Sequence, residues 1–419
     1  MNKVICILSL IIFTQLNTFS QEISSKMINS ISFSKPNENK LSNFIIAALD
    51  EEFSVSFDVL SGIEYDLYYT IDHYDFDWKK SELLKSEFIQ GFDEVKINNY
   101  TSSFNTYQIY TNYNITFPNS ETSLKKSGNY IVRILDEYGD ELFNRKFILY
   151  ENLCSVKTEV KRSRELEFIN EKQVVNFEVI PLNLQLNNPE RNVKTLIVKN
   201  NDLNNSIFNL KPQYKIGNKL IYKYDKESSF WGGNEYLYFD NKNIKTSNVE
   251  IQDYRLNDIY QNFLFIDYPR YNRKYTYNPD INGGFLINAS NVENPSNEAD
   301  YVDIYFSLEN SNNLFNKDDN IYIVGEFNNY SKNRIYKMQY DYKKNKFEAV
   351  IKLKQGFYNY KYLMKNNSNL KINFQNGEIG GNFDETENIY SVVVYYRNFG
   401  ERYDRAIGFG KGSSNYITN

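Results

Sequence analysis

Asp72, His73, Asp75 and Asp77 put three carboxylates and an imidazole within six positions, directly ahead of Trp78. Such a set is chemically suited to a hard cation or a transition metal. A calcium loop, however, needs a glycine at its sharp bend and a bidentate glutamate later, and neither stands at that spacing. His73 is the sole histidine of the chain, so any His-based triad must run through it. No G-x-S-x-G elbow accompanies it, and no pair of carboxylates is singled out for glycoside hydrolysis. The competing reading is a structural knot, in which these groups cap a turn and pair with cations around Trp78. A protein-interface role fits the same five residues, because aromatics beside charges favour docking. The expectation is therefore no catalytic, cofactor or metal residue. Trp231, Tyr236, Tyr330 and Tyr336 are candidates for stacking on sugars, but a chain with 37 Tyr uses most of them in cross-strand packing.

The knot lies between two predicted strands. Ile63, Tyr65, Leu67, Tyr69 and Ile71 alternate with polar residues, and Tyr107, Ile109, Thr111, Tyr113 and Ile115 do the same before Pro118. The span from Phe104 to Tyr113 is a second candidate docking surface. The segments IDHYDFDWKKSELLKSEFIQGF, NNYTSSFNTYQIYTNYNITFPN and SGNYIVRI together resemble the N-terminal domain of the type IX secretion system plug family of Bacteroidetes. That family usually carries Cys where this chain has Tyr74, so no cysteine-dependent role of the knot transfers. The resemblance implies a periplasmic protein that binds the periplasmic opening of a giant outer-membrane translocon barrel. It would plug that pore while no cargo is in transit.

Residues 1–20 read as a secretory signal: Lys3, then an apolar core from Val4 to Phe13 too short to span a bilayer. Its loss, with Lys3, takes the formal charge from −5 to −6. A mildly acidic exported chain is a poor nucleic-acid binder. Cys154 is then the only cysteine left, which excludes an intramolecular disulfide. No later segment is apolar for long enough to make a transmembrane helix.

The strand pattern predicts an all-β chain of two to three immunoglobulin-like antiparallel β-sandwich domains in series. The expected limits are 22–150 for the first, 165–287 for the second and 300–398 for the third, with 399–419 a polar tail. The Asn- and Ser-rich segment 288–300, with Pro295, marks the clearest boundary. Gly325, Phe327, Asn328, Tyr330, Met338, Gly356, Tyr358, Tyr360 and Lys361 resemble early-set immunoglobulin-like modules related to glycogen-binding domains. Tyr330 stands where those modules place a sugar-stacking Trp. The alternative function is accordingly a secreted or periplasmic carbohydrate-binding protein using Tyr330; a hydrolase of unseen type is a third. The tail does not resemble the sorting domain of cargo, which suits a part of the machinery.

Overall fold

The structure, a computed structural model, describes residues 25–365 and 375–417; the predicted signal 1–20 lies outside them. The chain is almost all strand, and its strands form three sandwiches. In the first, Ile28–Ser34, Phe53–Val59, Thr111–Phe117 and Tyr100–Ser102 form one sheet. Facing it are Ile45–Ala48, Glu141–Tyr150, Gly128–Leu135, Tyr68–Tyr74 and Val95–Lys96, in that order. Alternate residues such as Val55, Phe57, Tyr113, Val132 and Phe147 fill the space between, as the pleat of two half-buried sheets requires.

The second sandwich is discontinuous. One sheet contains Cys154–Arg162, Lys172–Pro181, Lys219–Tyr222 and Tyr214–Ile216, with Ser229–Trp231 also on Lys172–Pro181. The other contains Asp202–Phe208, Val193–Lys199, Ile389–Tyr396 and Arg405–Ser413. The described strands between Trp231 and Ile389 belong to the third sandwich. There, Gly356–Met364 pairs with Leu237–Asp240, Phe285–Ile287 and Ile321–Val324. The facing sheet runs Ile251–Leu256, Tyr260–Leu264, Tyr301–Glu309, Lys346–Lys354, Gln339–Asp341. Pairing is antiparallel except for Ile45–Ala48 on Glu141–Tyr150 and Tyr260–Leu264 on Tyr301–Glu309.

This connectivity corrects the expected domain limits. The third sandwich is inserted into the second, and segment 288–300 lies inside it. That segment makes a joint with the first sandwich: Asn297 Nδ2 donates to Ser102 O, and the Asp300 carboxylate accepts from Tyr107 N and Gln108 N. Its backbone carbonyls at Asn297 and Ala299 accept bonds from Phe104 N and Tyr110 Oη of the first sandwich. The described part of the expected tail, residues 399–417, is likewise no tail, since Arg405–Ser413 pairs along Ile389–Tyr396 and covers Cys154–Arg162. Gly408, Gly410 and Gly412 face that neighbour so closely that a Cβ would lie 2.2 Å from Cys154 Sγ, 2.3 Å from Val156 O and 2.8 Å from Thr158 Cγ2. Glycine removes the side chains that otherwise announce a buried strand face. Two predicted strands also begin later than alternation suggested: Ile63, Tyr107 and Ile109 are exposed in irregular segments. Their strands start at Tyr68 and Thr111.

Candidate functional site

The knot extends the strand Tyr68–Tyr74 into a tight turn, and the pleat sends successive side chains apart. His73 points inward and is buried. Its Nε2 donates to Ser127 O at 3.1 Å, which leaves Nδ1 to accept from Ser81 Oγ at 2.8 Å. Burial lowers its pKa, so the neutral ring is favoured. The approach is tight: Gly128 has φ +143°, and a Cβ there would sit 2.4 Å from Nε2. Asp72 faces the other way, toward Lys80 (3.0 Å), Lys85 (3.3 Å) and Arg133. Burial opposes its ionisation, but these cations outweigh it and hold the carboxyl below its usual value. Asp77 is exposed and paired with Lys79 at 2.7 Å. Among the described residues no group of His, Cys, Asp and Glu converges as a metal site.

The remaining members cross to the second sandwich. Asp75 pairs with Arg397 Nη2 at 2.7 Å and accepts from Asp404 N at 3.0 Å. Asp404 in turn accepts from Phe76 N at 3.1 Å and pairs with Lys194 and Arg397. Phe76 and half-buried Trp78 join Phe44, Ile46 and Ile148 against Leu196, Val198, Val393 and Tyr395. Trp78 adopts φ 60° and carries Lys146 Nζ 4.5 Å from its ring centre. Of the five residues, Asp75 and Trp78, together with Phe76, thus form an internal clasp between two sandwiches, while Asp72, His73 and Asp77 bond within the first.

Tyr330, the candidate sugar platform, is buried. It adopts φ 51° in the turn built on Gly325 and Asn328, which swings its ring toward the second sandwich. Its hydroxyl meets Tyr236 Oη at 3.0 Å and Asn200 O at 3.3 Å. Closed off in this way, it has no face for a sugar, which corrects the reading of Tyr330 as a glycan-stacking residue. Tyr236 is buried with it, and half-buried Trp231 packs on Phe168 and Lys172.

Around Tyr330 lies a cluster that no sequence motif marks. Lys361 pairs with Glu378, and both are largely buried. Burial works against the Lys361 charge, yet Glu378 holds its pKa above the ordinary value. Lys199 donates to Trp231 O (2.8 Å) and Gly232 O (2.6 Å). Burial, and then the nearby Lys361 charge, push its pKa down to about 7. Glu326 lies where all three sandwiches meet. Asn43 of the first donates to its backbone carbonyl, and Asn201 of the second reaches its Oε1 at 3.5 Å. Lys40 stands 3.7 Å away. Burial pushes the Glu326 carboxyl up to about 7.

Glu326 therefore links stability to pH. The folded chain holds the proton more tightly than the unfolded one, so its contribution is complete below the ordinary value of 4.5 and lost as pH rises through about 7. Glu326→Gln should leave stability nearly unchanged at pH 5 and raise it by about 1–3 kcal/mol at pH 8. Urea unfolding of both proteins across that range checks this; parallel pH profiles would refute it.

A third joint ties the first sandwich to the third. Lys354 Nζ and Asp58 Oδ2 are 2.7 Å apart, with side chains 2% and 0% exposed. Tyr301 Oη donates to the same oxygen at 2.7 Å and Asn112 Nδ2 to the other at 2.7 Å. Lys354 also donates to Ser296 O and lies 4.1 Å from the ring centre of Tyr110. Nearby, Asp300 accepts from the backbone of Tyr107 and Gln108, which fixes the loop carrying exposed Phe104, Tyr107 and Ile109. Each sandwich is thus bonded to the other two.

Fold and joints define an all-β protein of three interlocked sandwiches with its distinctive sequence cluster at an internal clasp. Residues 28–151 match the family described as "Type 9 secretion system plug protein 1st domain", limits that coincide with the first sandwich. The solved structure of a hypothetical protein from Parabacteroides merdae ATCC 43184 is similar over 94% of this chain and 98% of its own, at 29% identity and TM-score 0.86. That likeness extends to the inserted sandwich as well as the first. No curated protein matches the chain. Among the described residues no helix is long and apolar enough to cross a membrane.

Proposed function

We infer that this protein is a non-enzymatic component of the type IX secretion system. It sits in the periplasm against the outer membrane, binds the periplasmic opening of the translocon barrel, and plugs the pore when no cargo is in transit. The match of residues 28–151 to the plug domain carries this reading. The mechanics agree with it. A pore wide enough for folded cargo leaks small solutes unless a stiff body covers it. Three sandwiches tied pairwise by the Asp75–Arg397, Asp58–Lys354 and Tyr330–Asn200 contacts resist bending at any one joint. Release is then a population shift, driven by a ligand or subunit that binds the unplugged state more tightly.

Affinity purification of the tagged protein from detergent extracts of outer membrane tests the role. Recovery of one very large barrel protein in near-equal amount is the expected result. A clean monomer, in cells that express the secretion machinery, would overturn it.

A further inference from the structure

Between the first and third sandwiches lies a cleft of about 450 Å³. That volume falls within the range of small-molecule sites. Its walls come from the strand Ile28–Ser34 and Arg145 on one side, and from Phe327, Asn328, Asn333 and Tyr336 on the other. Val350 and Ile335 form an apolar rim, 47% and 65% exposed.

The charge pattern is one-sided. Only Arg145 and Lys352 among the lining residues are charged, and no carboxylate faces the cleft, although the whole chain is acidic. Lys352 is already matched. It stands opposite Asp303 in the strand register and donates to Gln108 Oε1 at 3.0 Å. Arg145 is different. Its Nε donates to Asn43 Oδ1 and its Nη1 to Asn144 O, both at 2.8 Å. Phe143 supports its guanidinium at 5.5 Å. These contacts fix the plane of the group but leave Nη2 and one Nη1 hydrogen without a protein acceptor among the described residues. The nearest group acting on its charge is the phenol of Tyr336. Burial pushes its pKa down to about 10, still well above neutrality, so the unmatched charge persists. A half-buried cation held in place without a counter-ion carries a cost, and an anion entering the cleft relieves it.

We propose that this cleft binds a small monocarboxylate with an apolar body. Arg145 takes the carboxylate end-on through its two Nη groups, while Tyr336, Phe327 and the Val350–Ile335 rim cover the rest. A planar fork matches a carboxylate in two parallel hydrogen bonds. One unmatched cation suits one negative charge better than a phosphate dianion. Asn328 and Asn333 supply polar edges.

Calorimetry on the full-length mature chain tests this with 4-phenylbutyrate and its neutral analogue 4-phenylbutyramide. The acid should bind at least about tenfold more tightly than the amide, about 1.4 kcal/mol. Arg145→Gln should abolish that preference. Ile335→Glu, at the exposed rim and away from the core, should weaken the acid about fivefold or more and leave the amide unchanged. The proposal fails if neither probe binds, if acid and amide bind alike, if the preference survives Arg145→Gln, or if Ile335→Glu leaves acid binding unchanged. Displacement of the acid by an equal concentration of inorganic phosphate would also overturn it, by assigning the cleft to dianions.

Discussion

A chain ending at Asn398 will fail to form its second sandwich. The deletion removes the whole strand Arg405–Ser413, including fully buried Ala406 and Ile407. It uncovers the face of Cys154–Arg162 that carries Val156 and Val160. It also removes Asp404, which ties Phe76, Lys194 and Arg397 together across the clasp. Lost burial at about 25 cal/mol per Å² and a broken charged network act together against a domain held by only about 5–15 kcal/mol. The expected result is insoluble protein, or rapid proteolysis from residue 153 onward with residues 28–151 persisting as a resistant fragment. A truncated protein that melts within a few degrees of the full chain would show that the strand is dispensable. Gly410→Val asks the same question by a single change. Its side chain would begin 2.3 Å from Val156 O and must push the two sheets apart, costing about 1–3 kcal/mol or more.

The second large effect is expected at the joint of the first and third sandwiches. Lys354→Met leaves the Asp58 carboxylate fully buried, with Tyr301 and Asn112 as donors but no cation. Breaking a buried pair on one side costs about 3–5 kcal/mol, because the remaining charge is uncompensated. Asp58→Asn alone should be similarly harmful, since burial already disfavours charge on Lys354 and Asp58 is its carboxylate partner. The double variant should regain most of the loss. A double-mutant cycle by urea unfolding measures the coupling. Single variants that each cost under about 1 kcal/mol would mean that the joint opens readily to water.

The fold class was legible because half-buried strands write their period into the sequence, as in Phe53, Val55 and Phe57 or Val175, Phe177 and Val179. Connectivity was not. A discontinuous domain leaves no local mark, and segment 288–300 has the composition of a linker while its Asn297 and Asp300 side chains bond to the first sandwich. Arg405–Ser413 escaped notice because its inward face is glycine. The cluster at Asp72 to Trp78 stood out in the sequence, but what it grips, Arg397 and Asp404, lies more than 300 positions away. Tyr330 was placed correctly in its turn motif. Its left-handed backbone, which buries it, has no signature in residue type. Nothing in the sequence separates Lys199, Glu326 and Lys354 from the chain's many other charged residues. Only the packing of one sandwich on another takes them out of water.

The insertion of one sandwich within another also sets an order of assembly. During synthesis the first sandwich is complete once Tyr150 has emerged, whereas the second must wait for strands made after the entire third. Its early sheet, Cys154–Arg162 with Lys172–Pro181, then stands with one apolar face open, the condition in which nascent chains are prone to misassembly. The third sandwich shortens that exposure. Once folded, it holds its two ends together: Phe383 N and Thr386 Oγ1 both donate to Gly233 O, and Asn388 Nδ2 donates to Gly232 O. The entropy of closing a loop grows with its length, so this fold replaces a very long closure by a short one. The late strands are delivered to their partners on a short leash, and the inserted sandwich acts as an internal folding aid for the one that surrounds it.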